Sequence, residues 1–355
     1  MTFNKNIVIM AGGTGGHIFP GLAVGKALEK RGYMIHWLGA NGLELDLVPK
    51  NGFPLHSLSM TGLRGNGLKG WLMLPFRLTG AVRDAMRFLK SVKPLCVVGF
   101  GGFAAAPGGI AAKLLGIPIV IHEQNAVPGL VNKVLSKISK RNLAAFNTLL
   151  PKATVVGNPI REDLLNIEPF KARYESRGDS PIRILIVGGS QGARILNQLM
   201  ESFSKTDLSS KFEIWHQTGK AFYEAHKNDE NFNQSNYKLT PFIDDMVEAY
   251  AWADLVICRA GALTVSEVLA VHVASCFIPF AKAVDDHQTK NAKALEDIGA
   301  AYLYCESEIS LPVLEALLRE FTRAKAIKMA EKTEILAKPE ATTLIVSEIE
   351  KVIQS

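Results

Sequence analysis

Three glycine-rich turns hold the residues best suited to chemistry in this chain: Gly12 to Gly16 followed by His17, Gly99 to Gly102, and Gly188 to Gly192 followed by Ala193. Each comes after a short apolar run of strand type and precedes a helical pattern. At such a junction the helix dipole and its unsatisfied N–H groups favour an anion, and glycine lets the anion approach the backbone. One such turn indicates no more than tight strand-to-helix packing. Three in one chain point to phosphate. The first and third share the pattern Gly-Gly-(Thr/Ser)-x-Gly, and the runs before them, Ile7 to Met10 and Ile184 to Val187, also match. Two similar halves are therefore expected.

The kind of phosphate can be narrowed. A nicotinamide or flavin site wants an acidic residue about 20 residues after the turn to hold the ribose. Here the second strand ends at Trp37 to Asn41 and the nearest acid, Glu44, lies beyond it, which counts against a dinucleotide. No turn ends in Gly-Lys-(Ser/Thr), so a P-loop fits worse. There is no Asp-x-Asp motif of the metal-dependent kind. The acidic clusters Glu44-Leu45-Asp46 and Asp285-Asp286-His287 read as solvated loop charge.

The elements that must position these turns can be read from patterning. Val- and Ile-rich runs alternate with helical stretches, the mark of βαβ units and parallel sheets. Strands are expected near residues 6–11, 34–38, 95–99 and 118–122, then near 182–187, 212–216, 254–258 and 275–279, with a helix opening at Pro20. A chain of 355 residues suits two domains, here placed at 1–160 and 161–340. The polar stretch Glu168 to Pro181 has linker composition, and a helix from Ala341 is expected to pack back on the first domain.

No apolar run approaches the ~18–20 residues that cross a bilayer, and the run Ile7 to Ala11 is strand-length rather than a signal peptide, so a cytoplasmic location is expected. Cys96, Cys258, Cys276 and Cys305 are scattered and read as reduced core thiols. The net charge of +6 is modest and requires no nucleic acid.

Taken together, Gly12 to Ala23, His122 to Asn125, Val156 to Arg161, Gly188 to Arg194, Phe242 to Met246 and Arg259 to Glu267 resemble the signatures of the MurG family of glycosyltransferases. The resemblance spans nearly the whole chain. It implies an α/β glycosyltransferase B fold, two Rossmann-like domains facing across a cleft, with the first taking the acceptor and the membrane and the second taking UDP-GlcNAc. It also implies inverting transfer of GlcNAc to lipid I, giving lipid II, with no cofactor and no metal. Another UDP-sugar-dependent lipid glycosyltransferase, a UDP-sugar epimerase and a non-enzymatic lipid-carrier scaffold are the rival classes.

By the same resemblance, Thr14, Gly15, Gly16, Asn125, Arg161, Ser190, Ile243, Ala262, Leu263, Thr264, Val265, Ser266, Glu267 and Gln288 bind the donor. Glu267 would hold the ribose diol, Ile243 would read uracil through its backbone, and Gln288 would read the GlcNAc hydroxyls. Gly13, Gly101, Gly102 and Glu123 would receive the acceptor diphosphate. His17 is the candidate base, against a capping or acceptor-binding role. The segment carrying Trp71, Leu72, Leu74, Phe76 and Arg77 is apolar with a basic rim, which fits either a core helix or a surface dipping into anionic lipid. The expected setting is peripheral, on the cytoplasmic face of a bacterial inner membrane, with other cell-wall synthesis and division proteins as partners.

Overall fold

A computed structural model describes residues 5–58, 67–281 and 286–355, leaving aside the side chains of 67–76. The chain divides into two compact units, Met1–Ile160 with Pro339–Ser355, and Arg161–Lys338.

The first unit runs β1 (Asn6–Ala11), α1 (Gly15–Lys30), β2 (Met34–Gly39), α2 (Glu44–Lys50), β3 (Leu55–Ser57), α3 (Gly67–Val92), β4 (Cys96–Gly101), α4 (Ala105–Leu114), β5 (Ile119–Glu123), α5 (Leu130–Leu135), β6 (Arg141–Ala144) and β7 (Ala153–Val155). Its strands form one sheet, ordered β3-β2-β1-β4-β5-β6-β7, and every pairing is parallel. The second unit runs α6 (Phe170–Glu175), β8 (Ile182–Val187), α7 (Arg194–Ser204), β9 (Phe212–Gln217), α8 (Lys220–His226), β10 (Tyr237–Thr240), α9 (Met246–Trp252), β11 (Leu255–Cys258), α10 (Ala262–Val271), β12 (Ala274–Phe277), α11 (His287–Asp297), β13 (Ala301–Leu303), α12 (Leu311–Glu320) and α13 (Arg323–Thr333). Its sheet, β10-β9-β8-β11-β12-β13, is parallel as well. The last helix, α14 (Ala341–Gln354), returns to the first unit.

The continuous apolar strands result from burial on both faces. Alternate residues of a strand point to opposite sides: Ile7 and Ile9 join one core with Leu22, Ile345 and Ile349, whereas Val8 and Met10 join the other with Ala85, Leu89 and Ala111. The doubly wound α/β class expected from the sequence is the class observed.

Four local expectations change. The first helix opens at Gly15, so Pro20 lies inside it. The missing proline N–H would have bonded to the Gly16 carbonyl, so the helix loses one bond in its second turn. Glu168 to Pro181 is not a linker, because Phe170, Arg173 and Tyr174 of α6 are buried in the second unit's core. The strands β3, β6, β7, β10 and β13 add to the expected set; each has only three or four residues, too few to show a period. Cys305 is exposed, unlike the other three cysteines.

The second unit is pinned by a buried charge cluster. Asp254 is 0% exposed, and its carboxylate accepts from Arg177, from Arg323 at 3.2 Å and from the Arg183 N–H at 2.9 Å. Tyr174 donates to the Asp254 carbonyl at 3.0 Å, which ties α6 to the start of β11. Asp254→Ala strips the carboxylate from two nearly buried guanidinium groups. The urea transition of this unit is expected to lose about 3–5 kcal/mol.

Candidate active site

In the first sheet the strand order reverses between β1 and β4, the place where parallel sheets open a crevice at their carboxyl ends. The turns after these two strands meet there. Gly13 (φ 86°), Gly101 (φ 108°) and Gly102 (φ 86°) have left-handed backbones. A Cβ on Gly102 would collide with the Gly12 backbone, and one on Gly101 would sit 3.0 Å from the His17 ring. Glycine at both positions is thus what lets the turns touch.

His17 lies in the first turn of α1 and is half-buried. Its Nδ1 is 3.2 Å from the Gly12 carbonyl and 3.3 Å from the Thr14 hydroxyl. A carbonyl only accepts, so the Gly12 bond places the imidazole proton on Nδ1 and leaves the Nε2 lone pair open. Burial lowers the His17 pKa, opposed by the Gly12 bond and by the charges of Glu123 and Glu44. The ring is therefore neutral near pH 7.

Several neighbours have other work. Glu44 is not a solvated charge: it is 0% exposed, and its carboxylate accepts from the Gly13 N–H at 2.9 Å and the Ala40 N–H at 2.8 Å. The Gly13 N–H is thereby engaged. Glu123 is engaged as well. Its buried carboxylate accepts from the N–H groups of Asn125 (3.0 Å) and Gly129 (3.1 Å) and from the Asn132 amide (2.9 Å), bracing the loop after β5. His122 is structural too, its Nε2 donating to the Gly157 carbonyl at 2.8 Å. Burial pushes its pKa down to about 4. Asn125, Thr14 and Gly16 remain at least partly accessible. Arg77 is exposed, while Trp71, Leu72, Leu74 and Phe76 of α3 have side chains outside the described residues, as does Asp285.

The second sheet reverses between β8 and β11. After β8, the Gly188 N–H donates to the Gln217 side-chain oxygen at 3.1 Å. The Gln217 amide in turn donates to the carbonyls of Gly189 (3.0 Å) and Pro241 (3.1 Å). Gln217 thus joins the turn that exposes Ser190 to the segment carrying Ile243. The Ile243 side chain is buried, and its backbone N–H and C=O have no partner among the described residues.

After β11, Gly261 caps α10 with extended backbone. Leu263 and Thr264 are partly accessible at the helix start, where first-turn N–H groups lack intrahelical acceptors. Val265 bonds its N–H to the Gly261 carbonyl at 2.9 Å, and its side chain is 0% exposed. The Ala262 side chain is likewise buried. Ser266 turns its hydroxyl back to the Ala262 carbonyl at 2.9 Å. Glu267, one turn on, accepts from the buried Tyr250 hydroxyl at 3.0 Å. Burial raises the Glu267 pKa, opposed by the Tyr250 bond and by Arg161. Gln288, at the start of α11, accepts from the Phe280 N–H at 2.9 Å through its oxygen.

Both halves match known proteins. The model of the glycosyltransferase family 28 N-terminal domain covers residues 7–143, and that of the C-terminal domain covers 183–345. The UDP-N-acetylglucosamine--N-acetylmuramyl-(pentapeptide) pyrophosphoryl-undecaprenol N-acetylglucosamine transferase of Serratia proteamaculans is 45% identical over 350 residues, covering 98% of each chain. Its Burkholderia multivorans counterpart is 47% identical over 346 residues, 95% of this chain and 94% of the other. The solved structure of Acinetobacter baumannii MurG superposes with a TM-score of 0.85 at 41% identity, covering 98% of this chain and 99% of that one.

The chain belongs to the MurG family of glycosyltransferase family 28. The kitacinnamycin glycotransferase, at 15% identity and a TM-score of 0.72, shares the fold alone. Membership fixes the pair of parallel-sheet units as the glycosyltransferase B fold and the chain as a UDP-sugar glycosyltransferase.

Three side chains that organise this family member's turns, Glu44, Gln217 and Tyr250, do not stand out as such in the sequence. The available signal for Glu44 is its ring of glycines: a Cβ on Gly12 or Gly42 would lie 2.5 or 2.6 Å from its carboxylate. Gln217 and Tyr250 leave no such mark.

The raised Glu267 pKa has a consequence for stability. Between the unfolded carboxylate value, about 4.3, and the raised folded one, the folded state holds a proton that the unfolded state has lost. Stability therefore falls as pH rises through that window. Glu267→Gln removes the effect. Urea midpoints measured from pH 4 upward are expected to fall less for the variant than for the parent.

Proposed function

We propose that this chain transfers GlcNAc from UDP-GlcNAc to the 4-hydroxyl of lipid I, the undecaprenyl-pyrophosphoryl-MurNAc-pentapeptide, forming lipid II for peptidoglycan. Full-length identity of 45% to transferases named for that reaction carries the reading. In the second unit, the N-terminal end of α10 with Leu263 and Thr264, the Ser190 turn and Arg161 stabilise the donor diphosphate as its charge grows, the work of fixed dipoles and cations. Glu267 accepts from the ribose diol, and the Ile243 backbone, lacking a partner among the described residues, pairs with uracil. The Gln288 amide reads the sugar hydroxyls while its oxygen holds Phe280.

In the first unit, Thr14, Gly15, Gly16 and Asn125 contact the donor sugar, and the Gly101-Gly102 turn receives the acceptor diphosphate. His17 is the base. The acceptor 4-oxygen attacks the anomeric carbon from the face opposite UDP and its proton passes to His17 Nε2. The bond from that carbon to the diphosphate oxygen breaks, and UDP leaves with inversion to a β-1,4 link.

The lipid-linked acceptor requires a membrane surface. We place the enzyme peripherally on the cytoplasmic face of the inner membrane, with the apolar stretch of α3 and its basic rim as the contact and cell-wall synthesis and division proteins nearby. Among the described residues no helix is long and apolar enough to cross a membrane.

Incubation with labelled UDP-GlcNAc and a soluble lipid I analogue is expected to yield the disaccharide product. His17→Ala should lower kcat by roughly 10²–10⁴-fold while calorimetric UDP-GlcNAc binding holds. A rise in acceptor KM alone would make His17 a binding residue instead.

Glu267→Ala should weaken UDP and UDP-GlcNAc together by about 1–3 kcal/mol, the worth of hydrogen bonds to a charged group. Acceptor affinity should stay as it was. Unchanged UDP binding would remove Glu267 from the donor site.

A further inference from the structure

Glu44 and His17 bond to opposite sides of one peptide group. The carbonyl that meets His17 Nδ1 at 3.2 Å belongs to Gly12, and the N–H that meets the Glu44 carboxylate at 2.9 Å belongs to Gly13. These two groups form the single trans peptide between residues 12 and 13, in which C=O and N–H point in opposite directions. The chain of contacts is therefore carboxylate, peptide N–H, peptide C=O, imidazole Nδ1–H, with the Nε2 lone pair at its far end.

We propose that Glu44 is a positioning residue for His17, acting through the Gly12–Gly13 peptide to fix the imidazole tautomer and to favour its protonated form as the proton arrives. A carboxylate on the N–H polarises the amide and strengthens its carbonyl as an acceptor, since hydrogen bonds in a low-dielectric chain reinforce one another. The carbonyl holds the Nδ1 proton, so Nε2 is the nitrogen left to take a proton. An Asp–His pair in a hydrolase achieves this by direct contact. Here a peptide group is interposed.

The surroundings are shaped for this. Glu44 is fully buried with its second oxygen on the Ala40 N–H at 2.8 Å, so the carboxylate does not swing. Gly12 and Gly42 leave the space it fills, and glycine at 102 leaves room for the Gly12 carbonyl, which a Cβ there would strike. The charged groups bearing on His17 are Glu44 on α2 and Glu123 at the end of β5. The ends of β1 and β4 bring only Ala11, Phe100 and glycines. The acids of α14 pair elsewhere, Glu350 with Arg31 and Glu348 with Arg141.

The proposal rests on His17 being the base, and the experiment separates the two. Nitrogen-15 NMR of histidine-labelled enzyme reads the tautomer directly. Resting His17 is expected to carry its proton on Nδ1 and, in Glu44→Gln, to shift toward the Nε2–H form. An Nε2–H parent, or a variant with an unchanged tautomer, overturns the proposal whatever the base is. In kinetics, Glu44→Gln should lower kcat by roughly tenfold with the UDP-GlcNAc KM unchanged. The acidic limb of the kcat profile should move to lower pH, because the carboxylate charge that favoured imidazolium is gone while Glu123 remains. Loss of stability with that limb in place would mean a structural role only, and overturns the proposal. Should Glu44→Gln not fold, the same readings on Glu44→Asp decide, since the shorter side chain withdraws the carboxylate from Gly13. If His17→Ala keeps its turnover, the base assignment fails, and the tautomer measurement still stands for Glu44.

Discussion

Everything placed at the two sites depends on one constraint of parallel sheets: strand order reverses once, and the turns on either side of the reversal leave the sheet at the same edge. In the first unit β1 pairs with β4 down to Ala11 opposite Gly101, after a register shift beyond Met10. In the second β8 pairs with β11 down to Val187 opposite Cys258. The glycine turns begin where those last pairs end. Their residues are small because two backbones converge, as the closeness of Gly102 to the Gly12 backbone shows.

The duplicated turns then diverge in charge. The Gly13 N–H of the first is held by the Glu44 carboxylate, while the Gly188 N–H of the second is held by the neutral Gln217 amide. A carboxylate cancels part of the positive field at a helix start, and an amide does not. The same backbone frame thus offers a less anion-seeking turn in one unit and a more anion-seeking one in the other. That difference accords with the roles proposed for the two turns, a base in the first and a nucleotide diphosphate in the second.

Much of this is legible in the sequence, and the losses have physical reasons. The central strands read clearly because burial on both faces forces long runs such as Ile7 to Met10. The turns read clearly because glycine at a left-handed position leaves a mark no other residue leaves. Glu44 does not, since an acid near a strand end looks solvated until three glycines from different segments are seen to enclose it. The α6 segment is masked by Pro169, Gly178 and Pro181 around Phe170 and Tyr174. Gln217 and Tyr250 act on residues 28 and 17 positions away, distances at which a sequence carries no pattern.

The first unit is also the one whose core is discontinuous in sequence. Ile345, Val346, Ile349 and Val352 of α14 join Ile7, Ile9 and Val24, so the face of the sheet beside α1 is complete only when the last residues are in place. Each such buried aliphatic side chain contributes about 1.5–3 kcal/mol. The flanking ion pairs, Arg31 with Glu350 and Arg141 with Glu348, are half exposed on the arginine side and add little. The apolar face of α14 therefore carries the closure. Because the cost of closing a loop grows only logarithmically with its length, an entire second unit can intervene without forfeiting it. The first site sits on the sheet that α14 completes, so the geometry around His17 depends on residues more than 300 positions away.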